Sequence, residues 1–148
     1  MKLYKKAGFT LVEILLATAI LASAVCAILV TYYSCFVLIS TSKNINIATN
    51  AAIGLMEEIR TSAFTRIMDD YNGLNFVVNA LPQSRGVVFI NDDNSELLEV
   101  TISVCWRQGD RVIGADKNLN GLLDSGEQDN GDGIIDSPVQ LMTRISNR

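Results

Sequence analysis

The residues with the most definite chemical spacing lie near the end of the chain, in Asp116-Lys-Asn-Leu-Asn-Gly-Leu-Leu-Asp-Ser-Gly-Glu127. Asp116, Asn118, Asn120, Gly121, Leu123, Asp124 and Glu127 fall at positions 1, 3, 5, 6, 8, 9 and 12 of a loop, the spacing of a calcium loop of EF-hand type. Oxygens at positions 1, 3 and 5 curl round a hard cation, the glycine permits the sharp turn, Leu122 lends its carbonyl, and Glu127 closes the site with both oxygens. The predicted cofactor is calcium in a structural role, held by Asp116, Asn118, Asn120, Leu122, Asp124 and Glu127. A degenerate copy follows at an offset of twelve, in which Asn130, Asp132 and Asp136 form a second, weaker set. Gln128 replaces its first aspartate and Val139 its closing glutamate, with Asp129 as a candidate substitute and Glu127 shared. The competing reading is a polar hairpin in which Asp, Asn and Gly serve backbone turns alone. Against it, six acids and one base, Lys117, lie between Asp116 and Asp136, and such a loop repels itself without a cation.

The second chemically pointed residue is Glu13. No charged residue and no proline separates it from Lys43, so the apolar segment exceeds the ~20 residues that span a hydrocarbon core. A lone ionised carboxylate on a membrane helix costs about 3 kcal/mol on insertion scales and usually marks a partner or a function. Snorkelling toward the headgroups is the alternative. Lys2, Lys5 and Lys6 precede the run and predict a cytoplasmic N-terminus with the rest of the chain across the membrane. A cleaved secretory signal fits less well, because the run is too long and no small-x-small site follows it.

Helical periodicity continues beyond this segment. Ile45, Ala48, Ala52, Leu55, Met56 and Ile59 form one apolar stripe, which predicts a single helix from about Phe9 to the mid-sixties, with Tyr71-Asn72-Gly73 as the stop. Gly54 is its one weak point. The period then changes to two: Leu98, Val100, Ile102, Val104 and Trp106 alternate with Glu99, Thr101, Ser103, Cys105 and Arg107, as in a half-buried strand. Shorter runs at 75–80 and 86–91 and the alternation from Val139 to Ile145 complete the pattern, with Asn91-Asp92-Asp93-Asn94 predicted as a hairpin turn. The predicted fold class is α+β. A long helix, transmembrane and then amphipathic, packs on an antiparallel sheet of three or four strands, with the acidic loop at 115–137 inserted before the last strand.

The N-terminal residues resemble a known family. Lys6-Ala-Gly8 followed by Phe9-Thr-Leu-Val-Glu13 and a long apolar helix is similar to the signature of type IV pilins and the pseudopilins of type II secretion. The resemblance covers about the first forty residues. It implies that a prepilin peptidase cuts between Gly8 and Phe9 and N-methylates Phe9. It also implies that the Glu13 carboxylate meets the amino terminus of Phe9 in a neighbouring subunit during assembly. The expected organisation is a leader at 1–8, a transmembrane and assembly helix at 9–40, and an exported domain at 41–148. The chain is then expected in the bacterial inner membrane as a single-pass protein, and afterwards in a pilus or pseudopilus at the periplasm or cell surface. Its expected partners are other pilin or pseudopilin subunits, the peptidase and the inner membrane.

Composition narrows the function further. The chain lacks histidine, the commonest general base and zinc ligand, and the acids have the spacing of a cation cage, so no catalytic residue and no enzyme activity is predicted. Three of the twelve basic residues lie in the leader and all sixteen acids lie beyond it, so the processed chain would carry nine bases against sixteen acids, a net charge of −7. Nucleic acid is not an expected partner of such a surface. Cys26 and Cys35, nine apart on one helix, cannot bridge each other. The paired C-terminal cysteines of many major pilins are absent. This favours the minor pilins of the PilV, or pilus-modification, group and the minor pseudopilin I, which are thought to prime assembly. A major structural subunit and a fibre-displayed, calcium-dependent adhesion module remain the alternatives.

Overall fold

The structure, a computed structural model, describes residues 8–94, 96–125, 127 and 131–147. The chain divides into two compact units, Met1–Ser40 and Thr41–Arg148, and helix α1, Leu11–Thr61, contributes to both.

In the first unit every described side chain from Gly8 to Ser40 is exposed, although nearly all are apolar. A helix that is apolar on all sides suits a membrane or a helix bundle rather than water. Its few hydroxyls are absorbed by its own backbone: Thr18 donates to the Leu15 carbonyl at 2.9 Å and Thr31 to the Ala27 carbonyl at 2.9 Å. Such back-bonding lets a hydroxyl enter hydrocarbon without an unmet hydrogen bond.

In the second unit α1 becomes one-sided. Ala48, Ala52, Met56 and Ile59 are buried at helical spacing, with Ile45 and Leu55 packed partly against the same core. The helix runs through Gly54 but stops at Thr61, short of the predicted end. Ala63 adopts an extended conformation, and a second helix α2 follows at Phe64–Tyr71. The physical reason is a second apolar stripe, Phe64, Ile67, Met68 and Tyr71, which turning the chain at Ser62 and Ala63 brings onto the core; Ile67 is fully buried. The Tyr71 hydroxyl ties the corner by donating to Glu58 Oε1 at 3.2 Å and lying 3.0 Å from Ser62 Oγ.

Among the described residues the antiparallel sheet has five strands, against the three or four expected. They are β1 (Asn75–Phe76), β2 (Ser84–Asn94), β3 (Leu97–Gln108), β4 (Arg111–Ile113) and β5 (Val139–Ser146). β3 is central. It pairs along β2 on one side, while β4 and β5 share its other side, β5 opposite Leu97–Val104 and β4 opposite Trp106–Gln108. The extra strand is β4, too short to show a period, while β1 falls on the predicted run at 75–80 but is shorter than it. Asn91 to Asn94 is not the turn but the end of β2, with an irregular register over those residues and Asn94 opposite Leu97. Asn91 and Asp93 satisfy each other locally, Asp93 N–H donating to Asn91 Oδ1 at 2.9 Å.

The inner face of β3 (Leu98, Val100, Ile102, Val104 and Trp106) forms the main core with α1 and α2. Gln108 fastens one end of this layer. Its Oε1 accepts from Trp106 Nε1 at 3.4 Å and Asn44 Nδ2 at 3.3 Å, and its Nε2 donates to Thr41 Oγ1 at 2.5 Å. Ile102, fully buried at the centre, is the sharpest test of this packing. Ile102→Ala is expected to lower unfolding stability by about 2–5 kcal/mol, read as a lower urea midpoint with the slope unchanged.

The outer face of β3 departs from expectation. The alternation predicted a half-buried strand, yet Thr101, Ser103 and Cys105 are as buried as their apolar neighbours. The residues between β4 and β5 supply the cover. Ile135 is buried with Val87 and Cys105, and Phe89, Ala115, Leu119 and Leu123 pack around them as a second, smaller core.

Candidate functional site

Two places carry the predicted functional residues. At the start of α1, Gly8 and Phe9 are exposed, Phe9 by 83%. Thr10 and Glu13 then form a reciprocal capping pair. Glu13 Oε2 accepts the main-chain N–H of Thr10 and the Thr10 hydroxyl, each at 3.2 Å, while Thr10 Oγ1 accepts the N–H of Glu13 at 3.2 Å. This satisfies two of the helix's unpaired N–H groups and places a negative charge at the positive end of the helix dipole. The threonine and glutamate three residues apart are the sequence signature of such a pair. Sequence reasoning on Glu13 asked only what lay outside the subunit and missed this internal partner. Residues 1–7 of the predicted leader lie outside the described residues.

The second place is the acidic loop. Asp116, only 1% exposed, anchors its start: Oδ1 accepts the Asn120 N–H at 3.1 Å and Oδ2 the Gly121 N–H at 2.8 Å. Glu127, 5% exposed, anchors its end: Oε1 accepts the Lys117 N–H at 2.9 Å and Oε2 the Asp124 N–H at 3.3 Å. The first and twelfth positions of the pattern therefore fold the loop onto itself. Asp124 Oδ2 lies 2.7 Å from Asn118 Nδ2 and 2.9 Å from Asn120 Nδ2. The two asparagine oxygens accept main-chain N–H groups two residues on, from Asn120 at 3.0 Å and Leu122 at 2.6 Å.

The backbone follows the same plan. Gly121 has φ +75°, as the sharp turn requires, and a Cβ there would fall 1.7 Å from Asn75 Oδ1. Leu119, two residues earlier, also has positive φ, +57°, a conformation a leucine adopts only when its surroundings impose it. Its side chain packs on the second core, and its carbonyl accepts from Arg85 Nε at 3.1 Å. Asn75 and Arg85, which seat the loop on β1 and β2, carried no signal in the sequence, because their role is contact across the sheet.

The structure thus brings Asp116, Asn118, Asn120, Asp124 and Glu127 into one hydrogen-bonded loop, with Leu122 on the same turn. The donor set is all oxygen, which suits a hard cation. Among the described residues no three His, Cys, Asp or Glu side chains converge as a metal group. Asp116, Asp124 and Glu127 are linked instead through main-chain N–H groups and asparagine amides. Of the weaker copy, Asp132 is exposed and accepts the Ile134 N–H at 2.9 Å. Asp136 accepts the Ala115 N–H through its main-chain oxygen at 2.7 Å and lines a cleft of about 440 Å³ with Lys117 and Glu127. Asn130, Gln128 and Asp129 lie outside the described residues.

Cys105 lies beneath this loop, its Sγ 3.9 Å from the Asp136 carbonyl. Burial, with the nearby Asp116 charge adding to it, holds the thiol above its usual range despite hydrogen bonds that oppose the shift. All three cysteines are free; Cys26 and Cys35 are exposed.

Residues 3–30 match a protein family described as the prokaryotic N-terminal methylation motif. No curated protein and no solved structure matches the chain. The matched segment runs from the basic leader through Gly8, Phe9 and Glu13 into the apolar helix, and it supports a type IV pilin-like protein. Such a motif implies processing by a prepilin peptidase and assembly with other pilins, and with the apolar helix it fits a membrane-anchored subunit.

Proposed function

We propose that the chain is a minor, assembly-priming subunit of a type IV pilus or a type II secretion pseudopilus. The observation that carries this reading is the methylation motif at residues 3–30, set on a helix whose described side chains are exposed and apolar throughout its first unit. A surface of that kind cannot remain in water, and lipid followed by the helices of other subunits gives it successive partners. The small α+β unit is what such a helix would display. The absence of any disulfide supports a minor over a major role. In this reading calcium is a structural cofactor of the loop from Asp116 to Glu127. The buried carboxylates at both ends and the all-oxygen donor set support it, and the ion would neutralise a loop dense in acids.

Processing tests the reading directly. The subunit purified from sheared fibres is expected to begin at Phe9 and to carry one added methyl group by mass spectrometry. Gly8→Val, which puts a branched side chain beside the cleavage point, is expected to leave the leader attached and the protein in the membrane fraction. A fibre subunit that retains residues 1–8 would overturn the proposal.

A further inference from the structure

We propose that the free edge of β5 is a docking strand, on which an extended segment of a different subunit, carrying a basic side chain beside Met142, pairs main chain to main chain. The choice of a fibre subunit as partner rests on the function proposed above; the open edge rests on the sheet alone.

β5 pairs with β3 in an unbroken antiparallel register from Val139 to Ser146. Just beyond it the Asn147 N–H donates to the Glu96 carbonyl at 3.0 Å, which fixes the alternation. The main-chain groups of Ile145, Thr143, Leu141 and Val139 therefore turn toward β3, and those of Gln140, Met142 and Arg144 turn away from it. The latter groups meet no hydrogen-bond partner among the described residues. The opposite edge of the sheet is closed. There the outward groups of β2 are met: the Val88 N–H donates to the Leu74 carbonyl at 3.1 Å, the Val88 carbonyl accepts the Gly73 N–H at 2.9 Å, and the Ile90 N–H donates to Asn72 Oδ1 at 3.1 Å. Proteins blunt a long open edge with proline, lysine, a bulge or a covering element. Along β5 there is no proline, no lysine and no register shift. Main-chain donors and acceptors alternating along such an edge fit another extended main chain.

Charge and symmetry select the occupant. Phe89, Thr101 and Met142 stand opposite one another on β2, β3 and β5. They line a groove of about 490 Å³ together with Asp92, Asp93 and Asp132. Met142, 60% exposed, stands where this groove meets the free edge. Arg144, the one base on β5, is already engaged by Glu99 at 2.8 Å, so the field along the edge is set by acids and favours a basic side chain beside Met142. A second copy of this chain fits poorly, because it brings an equally acidic groove to the same edge. Symmetry opposes it as well. The two-fold that pairs β5 with itself stands normal to the sheet, so α1, packed on the inner face, would run in opposite directions in the two copies. Subunits drawn from one membrane into one fibre share a direction.

The experiment uses the full chain in detergent micelles and a fluorescent peptide of alternating valine and lysine, as long as β5, with binding read by anisotropy. Methylating the peptide's main-chain nitrogens, or replacing its lysines by glutamate, is expected to weaken binding by about tenfold or more. Met142→Pro removes an outward N–H and leaves the pairing with β3 intact, so it is expected to abolish binding with little change in melting temperature. Met142→Lys keeps that N–H and sets a base against the peptide's own, and is expected to weaken binding without burdening the fold. In fibres, a photo-cross-linker at Gln140 is expected to join the chain to a different subunit that carries the N-terminal methylation motif. No binding of the lysine peptide, or equal binding of its N-methylated form, overturns the docking edge. Equal binding of the lysine and glutamate peptides overturns the basic partner, and a cross-link to a second copy of this chain overturns the choice of a different subunit. Peptide binding by a chain that never enters fibres overturns the proposed function and leaves the edge standing.

Discussion

Glu13→Ala is expected to leave the protein inserted in the membrane at its normal level and to remove it from fibres, by about a hundredfold or more in incorporation. Insertion does not suffer, because an alanine is cheaper in hydrocarbon than a carboxylate by about 3 kcal/mol on insertion scales. The loss arises in the assembly. If the carboxylate neutralises the Phe9 ammonium of the next subunit, deleting it strands that ammonium among apolar helices, and breaking one side of a buried ion pair costs about 3–5 kcal/mol. The capping pair with Thr10 complicates this prediction, since alanine also removes the carboxylate that accepts the Thr10 N–H, although the main-chain N–H of residue 13 still reaches Thr10 Oγ1. Two further variants separate the effects. Glu13→Gln keeps an acceptor for the Thr10 N–H but carries no charge, so it is expected to fail almost as completely as alanine. Thr10→Val removes the cap and keeps the charge, so it is expected to assemble at a modestly reduced level. The measurement is the ratio of subunit in sheared fibres to subunit in membranes. Normal incorporation of Glu13→Gln would reduce Glu13 to a capping residue and end its assembly role.

Much of the fold could be read from periodicity, and the misses share one cause. The stripe from Ile45 to Ile59 and the alternation of β3 and β5 each repeat often enough for a period to emerge, and these elements are found as expected. The break at Ser62 and Ala63 has no proline or glycine to announce it; it exists because the Phe64–Tyr71 stripe must reach the core from a different direction. β4 is held only by pairing with β3, so its three residues show no pattern of their own. The outer face of β3 was legible as polar but not as covered. What covers it is a segment whose composition says turn, and whose few apolar residues, Leu119, Leu123 and Ile135, lie too far apart to declare a face. At the acidic loop the spacing of Asp116, Asn120, Gly121 and Glu127 predicted oxygens gathered round a cation, whereas the contacts the structure shows are from the Asp116 and Glu127 carboxylates to main-chain N–H groups. The left-handed Leu119 and the seats on Asn75 and Arg85 depend on the sheet below, which local spacing cannot encode.

Calcium is expected to raise the melting temperature of the full chain in micelles by roughly 10–20 °C when present at a hundred times its dissociation constant. Binding to the folded state alone contributes about 2.7 kcal/mol under that condition, and a unit of about a hundred residues gains some 4–8 °C per kcal/mol. The substitution that isolates the effect is Asp116→Asn. It preserves size and one acceptor, but its NH2 group now faces the main-chain N–H of either Asn120 or Gly121 where an oxygen stood. A buried donor left without an acceptor costs about 1–3 kcal/mol, so the variant melts lower even in chelator. That loss by itself would also follow if the loop were only a polar turn held by its own hydrogen bonds. The deciding quantity is the increment on adding calcium, expected to vanish in Asp116→Asn and in Glu127→Gln and to survive in Asp132→Asn, which alters only the weaker copy. An unchanged melting temperature in the parent chain across the calcium titration would leave Asp116 and Glu127 as backbone anchors and nothing more. An increment that persists in both variants would place the ion elsewhere on this acidic surface.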